Sequence, residues 1–210
     1  MSEASEKRRK RTHGYLALWK IDAQLDAVPV PIEDGVHLQS SADTCNRALA
    51  LCLLALKGQG LSQVETFAFA DAYGVWDALD ALETDFILDM EPTGDAVLNY
   101  AWKYEGLHAL EWALGLNKHL VFPVDPVSPA KVLELCIEHI ATATPDERPV
   151  LRSPKELLDA VDVARCLAAI TATARRQGLS MPAGLHQGVV HERDLALDWL
   201  VTASAETDDR

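Results

Sequence analysis

Residues 95–116 read DAVLNYAWKYEGLHALEWALGL, and this stretch decides the fold class. Its apolar side chains fall on nearly every side of a helix instead of forming one stripe. A helix that is apolar all round is usually the one buried at the centre of a fold. We therefore predict a long central helix from about Asp95 to Leu116, with other helices packed around it.

The rest of the sequence is punctuated into further helices, with no convincing strands. Ser62 and Glu65 form a capping box, Ser153 and Pro154 start a later helix, and Gly178 stands where a helix-ending glycine is expected. The eight predicted segments lie at about 7–26, 42–57, from 62, 77–90, 95–116, from 128, from 153 and 188–203. The sequence thus predicts an all-α fold, a single compact domain of about eight helices.

No internal repeat or low-complexity linker divides the chain. We expect a flexible basic N-terminal tip over residues 1–12, a helical domain over 13–203 and a polar tail over 204–210. The tip holds the basic run from Lys7 to Arg11. Because chain ends fray, this run is weak support for contact with nucleic acid.

The chain is acidic, with 32 Asp and Glu against 19 Lys and Arg and a formal net charge of −13. Such a body repels nucleic acid and anionic lipid and attracts a basic partner over a Debye length of about 8 Å. No apolar run approaches the roughly 20 residues that span a bilayer, and no signal-peptide core follows the basic run. We expect a cytoplasmic protein that binds neither nucleic acid nor membrane.

Four cysteines are far apart and show no C-x-x-C spacing; they are Cys45, Cys52, Cys136 and Cys166. Each lies among Leu, Ala and Ile in a helical pattern. We interpret them as small buried thiols instead of disulfide partners or metal ligands.

One short motif resembles half of a metal site. Glu105 and His108 have the E-x-x-H spacing of di-iron helical bundles, which need a second copy and two more carboxylates. The zinc motif H-E-x-x-H is absent, since His191-Glu192 is not followed by a second histidine at that spacing. The motifs of nucleophile elbows, phosphate loops and dinucleotide sites are absent too. We expect no metal, no cofactor and no catalytic residues.

Two charged residues fall on apolar helix faces. Arg193 shares a face with Val189 and Leu197, and Glu105 lies on a similar face of the central helix. A buried charge needs a partner, so we expect Arg193 to pair with Glu105, or with one of two aspartates on the seventh helix. The alternative is a polar pocket for a ligand. The candidate residues of this network or pocket are Glu105, His108, Asp159, Asp162, Glu192 and Arg193.

Several segments in order resemble one protein family. They are Trp102–Glu105 (WKYE), Trp112–Leu116 (WALGL), Leu151–Asp162 (LRSPKELLDAVD), Pro182–Leu185 (PAGL) and Val189–Leu200 (VVHERDLALDWL). Together they resemble a bacterial family defined only as a domain of unknown function, number four thousand two hundred and seventy-two in that series. The resemblance runs from about Lys7 to Val201. It implies a bacterial source and a helical fold, and it supplies no activity.

The sequence departs from the family pattern at three places. A His-Trp pair of the family is Ala168-Ala169 here, an Asp-Ala-Arg is Thr173-Ala174-Arg175, and a Glu-Arg-His is Glu192-Arg193-Asp194. Losing those histidines would remove any acid–base role that they had. The resemblance therefore implies that this member is less suited to catalysis than its relatives.

Two hypotheses about function remain. The first is a non-enzymatic acidic binding protein, an immunity-type or antitoxin-like inhibitor that holds a basic toxin through complementary charge. The second is a small-molecule-binding enzyme or sensor with a polar pocket around Glu105 and Arg193. A neighbouring toxin gene would favour the first hypothesis, and a closed polar pocket would favour the second.

Overall fold

The structure is a computed structural model that describes residues 3–32 and 36–203. The chain is 67% helical with almost no strand, so the predicted all-α fold of about eight helices is confirmed. In chain order the described helices and strands are α1 (Glu3–Leu18), β1 (Val36–Leu38), α2 (Ser41–Gly58), α3 (Gln63–Tyr73), α4 (Ala81–Leu88), α5 (Gly94–Ala101), α6 (Lys103–Ala113), α7 (Pro129–Cys136), α8 (Pro154–Gln177), α9 (Gln187–Trp199) and β2 (Val201–Ala203).

The helices group into two compact units, and each is assembled from separate stretches of the chain. The first unit contains the chain up to Gln39, Pro123–Asp125 and the chain from Arg152 onward. The second unit contains Ser40–Phe122 and Pro126–Leu151. Because the chain passes between the units four times, neither unit is a continuous segment of sequence.

In the second unit the helices α3 to α7 all pack against α2. Twelve of the 18 residues of α2 are buried, including an unbroken run from Ala48 to Ala55. Such a helix cannot be stable alone in water, because its apolar surface must be covered by neighbours. The centre of this unit is therefore α2, with α6 beside it.

The predicted central helix over residues 95–116 is two helices, with a break at Trp102. There the Trp102 amide donates to the carbonyl of Asn99, three residues back, in place of the usual four. A side chain on Gly58 of α2 would overlap the backbone of Ala101, so the two backbones touch at the break. Nine of the 11 residues of α6 are buried and none of α5, so only α6 fits the predicted central position.

In the first unit α8 packs between α1 and α9. It begins after Ser153 as predicted, where Ser153 forms a capping box with Glu156, and the predicted Gly178 ends it with a left-handed backbone. The capping box of Ser62 and Glu65 also begins α3 as predicted.

The expected flexible tip over residues 1–12 is wrong from Glu3 onward, because those residues form the first three turns of α1. Arg8 is 0% exposed and Arg9 is also buried. The reason lies far along the chain: carboxylates of α8 supply partners for both guanidinium groups. The helix also ends earlier than predicted, at Leu18, and Lys20 follows with a left-handed φ of 57°.

Two short strands were missed. The last predicted helix extends only to Trp199, and the chain continues as β2, which pairs antiparallel with β1. Strands of three residues are too short to show an alternating pattern, and their partners are more than 160 residues apart. The predicted polar tail, residues 204–210, lies outside the described residues. No helix in the described part of the chain is long and apolar enough to cross a membrane.

The buried pairing of α1 with α8 gives a first prediction. Asp162→Ala leaves the buried guanidinium of Arg9 without its carboxylate partner. We therefore expect this substitution to lower the free energy of unfolding by about 3–5 kcal/mol. Arg11→Ala breaks an exposed pair with Asp159 and should cost less than about 1 kcal/mol. Urea unfolding of the two variants measures the difference. Equal costs would contradict a structural role for the buried pair.

Candidate functional site

The six candidate residues of the predicted polar network lie in different parts of the fold. Glu105 and His108 belong to α6 in the second unit. The other four belong to α8 and α9 in the first unit. Five of the six are buried, and Asp159 is partly exposed; the buried ones are Glu105, His108, Asp162, Glu192 and Arg193.

Asp162 is the centre of a buried cluster with residues of α1, and this contact between α8 and α1 was not predicted from the sequence. Its carboxylate accepts from Nη2 of Arg9 at 2.7 Å and from the hydroxyl of Thr12 at 2.5 Å. Arg9 also donates to the backbone carbonyls of Leu25 and Val28. All three nitrogens of that guanidinium thus donate inside the protein, which is what a buried charge requires.

Asp159, one turn earlier on α8, binds two other arginines of α1. It accepts from Nε of Arg8 at 3.2 Å and from Nη2 of Arg11 at 2.6 Å. Arg8 also donates to the carbonyl of Pro31 at 2.6 Å. The expected partners of Arg193 on the seventh helix are therefore engaged by arginines that we had assigned to a flexible tip.

Arg193 itself is only 4% exposed, so its predicted burial is confirmed. Burial raises the pKa of Tyr15 on α1, and the nearby positive charge of Arg193 opposes that rise. Arg193 thus lies close to α1 within the first unit. Its pairing with Glu105, and the ligand pocket around these two residues, stay predictions.

Glu105 is fully buried, and its Oε1 accepts from the backbone amide of Val127 at 2.7 Å. That amide belongs to the connection just before α7, so the carboxylate fixes the start of α7 against α6. Among the described residues, no three His, Cys, Asp or Glu side chains are grouped as metal ligands would be.

A second buried carboxylate, Glu111, lies two turns along α6 from Glu105. It was not among the candidate residues predicted from the sequence. Asn117 donates to its Oε2 at 3.0 Å and lies 3.3 Å from Nδ1 of His108. The other oxygen of Glu111 has no hydrogen-bond partner among the described residues. Burial raises the pKa of Glu111 to about 8, so the carboxyl group is mostly protonated at neutral pH. The signal was present in the sequence, since Glu111 stands between Leu110 and Trp112 on a helix that is apolar all round.

All four cysteines are buried and free, as predicted. Cys136 lies within hydrogen-bond reach of Cys52 and of the carbonyl of Ala48. Burial raises the pKa of Cys166 to about 12, and the pKa of Cys136 is raised as well. Because the thiolate is the reactive form, these thiols are poor nucleophiles.

An open groove of about 610 Å³ lies in the first unit, between β1 and the start of α8. It is lined mainly by apolar side chains, with His37 and Lys155 at its edge. The capping box of α8 binds the backbone amides of Ser153 and Glu156, so these two amides are not available to an anion. None of the six candidate residues lines this groove.

The comparison with known families decides where the chain belongs. The model of a domain of unknown function, DUF4272, matches residues 8–210. The chain belongs to this family. No curated protein and no solved structure matches it. The family identified from the WKYE, WALGL and LRSPKELLDAVD segments is therefore confirmed.

In this DUF4272 protein α9 carries a partly buried aspartate next to Arg193 in the sequence. This residue, Asp194, has its Oδ1 buried without a hydrogen-bond partner among the described residues. Burial raises the pKa of Asp194 to about 6, and the neighbouring Asp198 adds to the rise. The carboxyl group therefore titrates closer to neutral pH than an ordinary aspartate does.

Glu111 gives a prediction about pH. Its folded-state pKa of about 8 is above the ordinary value near 4.5, so its contribution to stability is present below pH 4.5 and is lost as pH rises towards 8. The loss is about 1.4 kcal/mol per pH unit at most. Glu111→Gln should therefore match the wild type at pH 5 and become the more stable protein at pH 8, which urea unfolding measures. The exposed Glu134→Gln is the control and should show no such trend.

Arg193 gives a prediction that separates structure from ligand binding. If its charge is held by an internal carboxylate, Arg193→Ala should lower the free energy of unfolding by about 3–5 kcal/mol, because the carboxylate is stranded. Arg165→Ala removes the exposed pair with Asp198 and should cost less than about 1 kcal/mol. Thermal and urea unfolding check both values. An Arg193→Ala protein of normal stability would favour the pocket.

Proposed function

We propose that this DUF4272 protein is a non-enzymatic binding protein that holds a basic protein on its acidic surface. Specifically, we propose that it is an immunity-type or antitoxin-like inhibitor of a bacterial toxin. It starts from the net charge of −13, which attracts a positively charged partner and repels nucleic acid.

One observation carries the proposal: four of the five charges in the densest basic run of the chain are paired with carboxylates of the same chain. Arg8 and Arg9 are buried against carboxylates of α8, Arg11 pairs with Asp159, and Lys7 pairs with Glu3. This run was the one feature of the sequence that favoured an anionic partner. With two of these charges buried and two more paired at the surface, the acidic excess dominates the surface.

The chemistry of the buried polar groups also supports binding over catalysis. Asp159 and Asp162 hold arginines, and Glu105 holds a backbone amide. The thiols with raised pKa values are weak nucleophiles. Buried side chains of this kind stabilise the fold. We therefore place the function on the surface of the protein.

The test begins with purification of the tagged protein from its native host and identification of what it binds. We expect a basic protein that arrests growth when it is expressed alone, with growth restored by co-expression of this protein. Association should slow by at least about tenfold when salt rises from about 0.1 M to about 1 M, because the Debye length falls from about 10 Å to about 3 Å. A partner that is acidic, or an association rate that ignores salt, would overturn the proposal.

A further inference from the structure

The acidic charge is concentrated in one continuous stretch of the second unit. Between Lys57 and Lys103 the sequence contains nine Asp and Glu and no Lys, Arg or His. Eight of the nine are exposed, and none of these eight forms an ion pair with a described residue. The ninth, Glu83, is buried and binds Arg47. The stretch thus presents eight exposed carboxylates outside the ion pairs of the described chain, although Lys57 lies near Asp89 and attracts its charge.

The same stretch also exposes large apolar side chains between its carboxylates. Five of them are exposed by half or more; they are Val64, Leu82, Leu88, Met90 and Leu98. Carboxylates alone would provide solubility, whereas apolar side chains among carboxylates resemble the centre and rim of a binding surface.

Helix α4 brings both kinds of side chain onto one face. Leu82, Asp85 and Leu88 are three residues apart and all exposed, so they line one side of the helix. Met90 and Glu91 follow directly after the helix and are exposed as well. We name Leu82, Asp85, Leu88, Met90 and Glu91 the α4 outer face. Leu82 is 73% exposed and Met90 is 78% exposed, so nothing in the described structure covers them.

Two cations of α2 hold α4 rigidly at both of its ends. Arg47 donates two hydrogen bonds, of 2.6 Å and 2.7 Å, to the carboxylate of Glu83 in the first turn. Lys57 Nζ donates to the carbonyls of Ile87 and Asp89 at the last turn, at 2.8 Å and 2.7 Å. A surface held in place before a partner arrives loses little conformational entropy on binding.

We infer that the α4 outer face is the docking surface for a basic amphipathic segment of the partner protein. This inference rests on the proposed function and names the surface and the chemistry that it takes. Apolar side chains of the segment pack on Leu82, Leu88 and Met90, while its Lys or Arg side chains pair with Asp85 and Glu91. Charge complementarity selects a basic segment over a second copy of this acidic chain.

The experiment uses a synthetic helical peptide of Lys and Leu, with Leu at positions i, i+3, i+4 and i+7 over about four turns. A peptide of the same composition in scrambled order has the same charge but no apolar stripe. We expect the full chain to bind the patterned peptide at least about tenfold more tightly than the scrambled one, as measured by calorimetry.

Variants of the chain then locate the site. Leu82→Ser with Met90→Ser should abolish the preference for the patterned peptide, and Asp85→Lys with Glu91→Lys should weaken both peptides by about tenfold or more. Leu179→Ser and Glu134→Lys change the same residue types at exposed positions elsewhere and should leave binding unchanged. Leu82→Met with Met90→Leu should retain binding, which separates loss of contact from loss of fold.

The outcomes distinguish this inference from the proposed function. If the chain binds the basic peptides but the α4 variants bind like the wild type, the docking surface is elsewhere and the proposed function stands. Equal binding of patterned and scrambled peptides would show attraction by charge alone and would overturn the apolar docking. If neither peptide binds and no basic protein is captured from the host, both the inference and the proposed function fail.

Discussion

The first unit depends on two guanidinium groups that are buried and paired with carboxylates. Arg8 and Arg9 reach from α1 to Asp159 and Asp162 on α8, and they also bind backbone carbonyls of the connector that follows α1. Two side chains thereby join α1 and its connector to a helix about 150 residues further along the chain. An unpaired charge in such a place costs several kcal/mol, so neither helix can shift without breaking the pairing. The run of positive charge suggested a mobile tip, but these same charges hold α1 against α8.

In the second unit, too, the cations of one helix bind groups of another helix. Arg47 and Lys57, both on α2, extend their charges to the two ends of α4, where a carboxylate and two carbonyls receive them. The last carbonyls of a helix have no partner within the helix, and a lysine there also interacts favourably with the helix dipole. Arg8, Arg9, Arg47 and Lys57 thus join helices inside the protein, and their use there leaves fewer positive charges on the surface.

The sequence predicted the helices well where local chemistry sets their ends. The capping boxes at Ser62 and Ser153 and the glycine at position 178 stand where the helices begin and end. It failed where a distant partner decides the result, as for the arginines of α1 and for the strands β1 and β2. The candidate site shows the same division: burial of Arg193 followed from its helical spacing, whereas the partners of Asp159 and Asp162 lie about 150 residues away. Glu111 was visible on an apolar helix and was passed over, although burial raises its pKa to about 8.

The way in which α4 is held has a consequence for evolution. The hydrogen bonds that hold α4 are made to Glu83 and to backbone carbonyls. The side chains of the α4 outer face take no part in them. Stability therefore depends on other atoms of α4 than the exposed side chains where we place recognition. Lineages of such a protein can exchange these exposed residues at little cost to the fold. A change in the proposed recognition would then not require a rebuilt core.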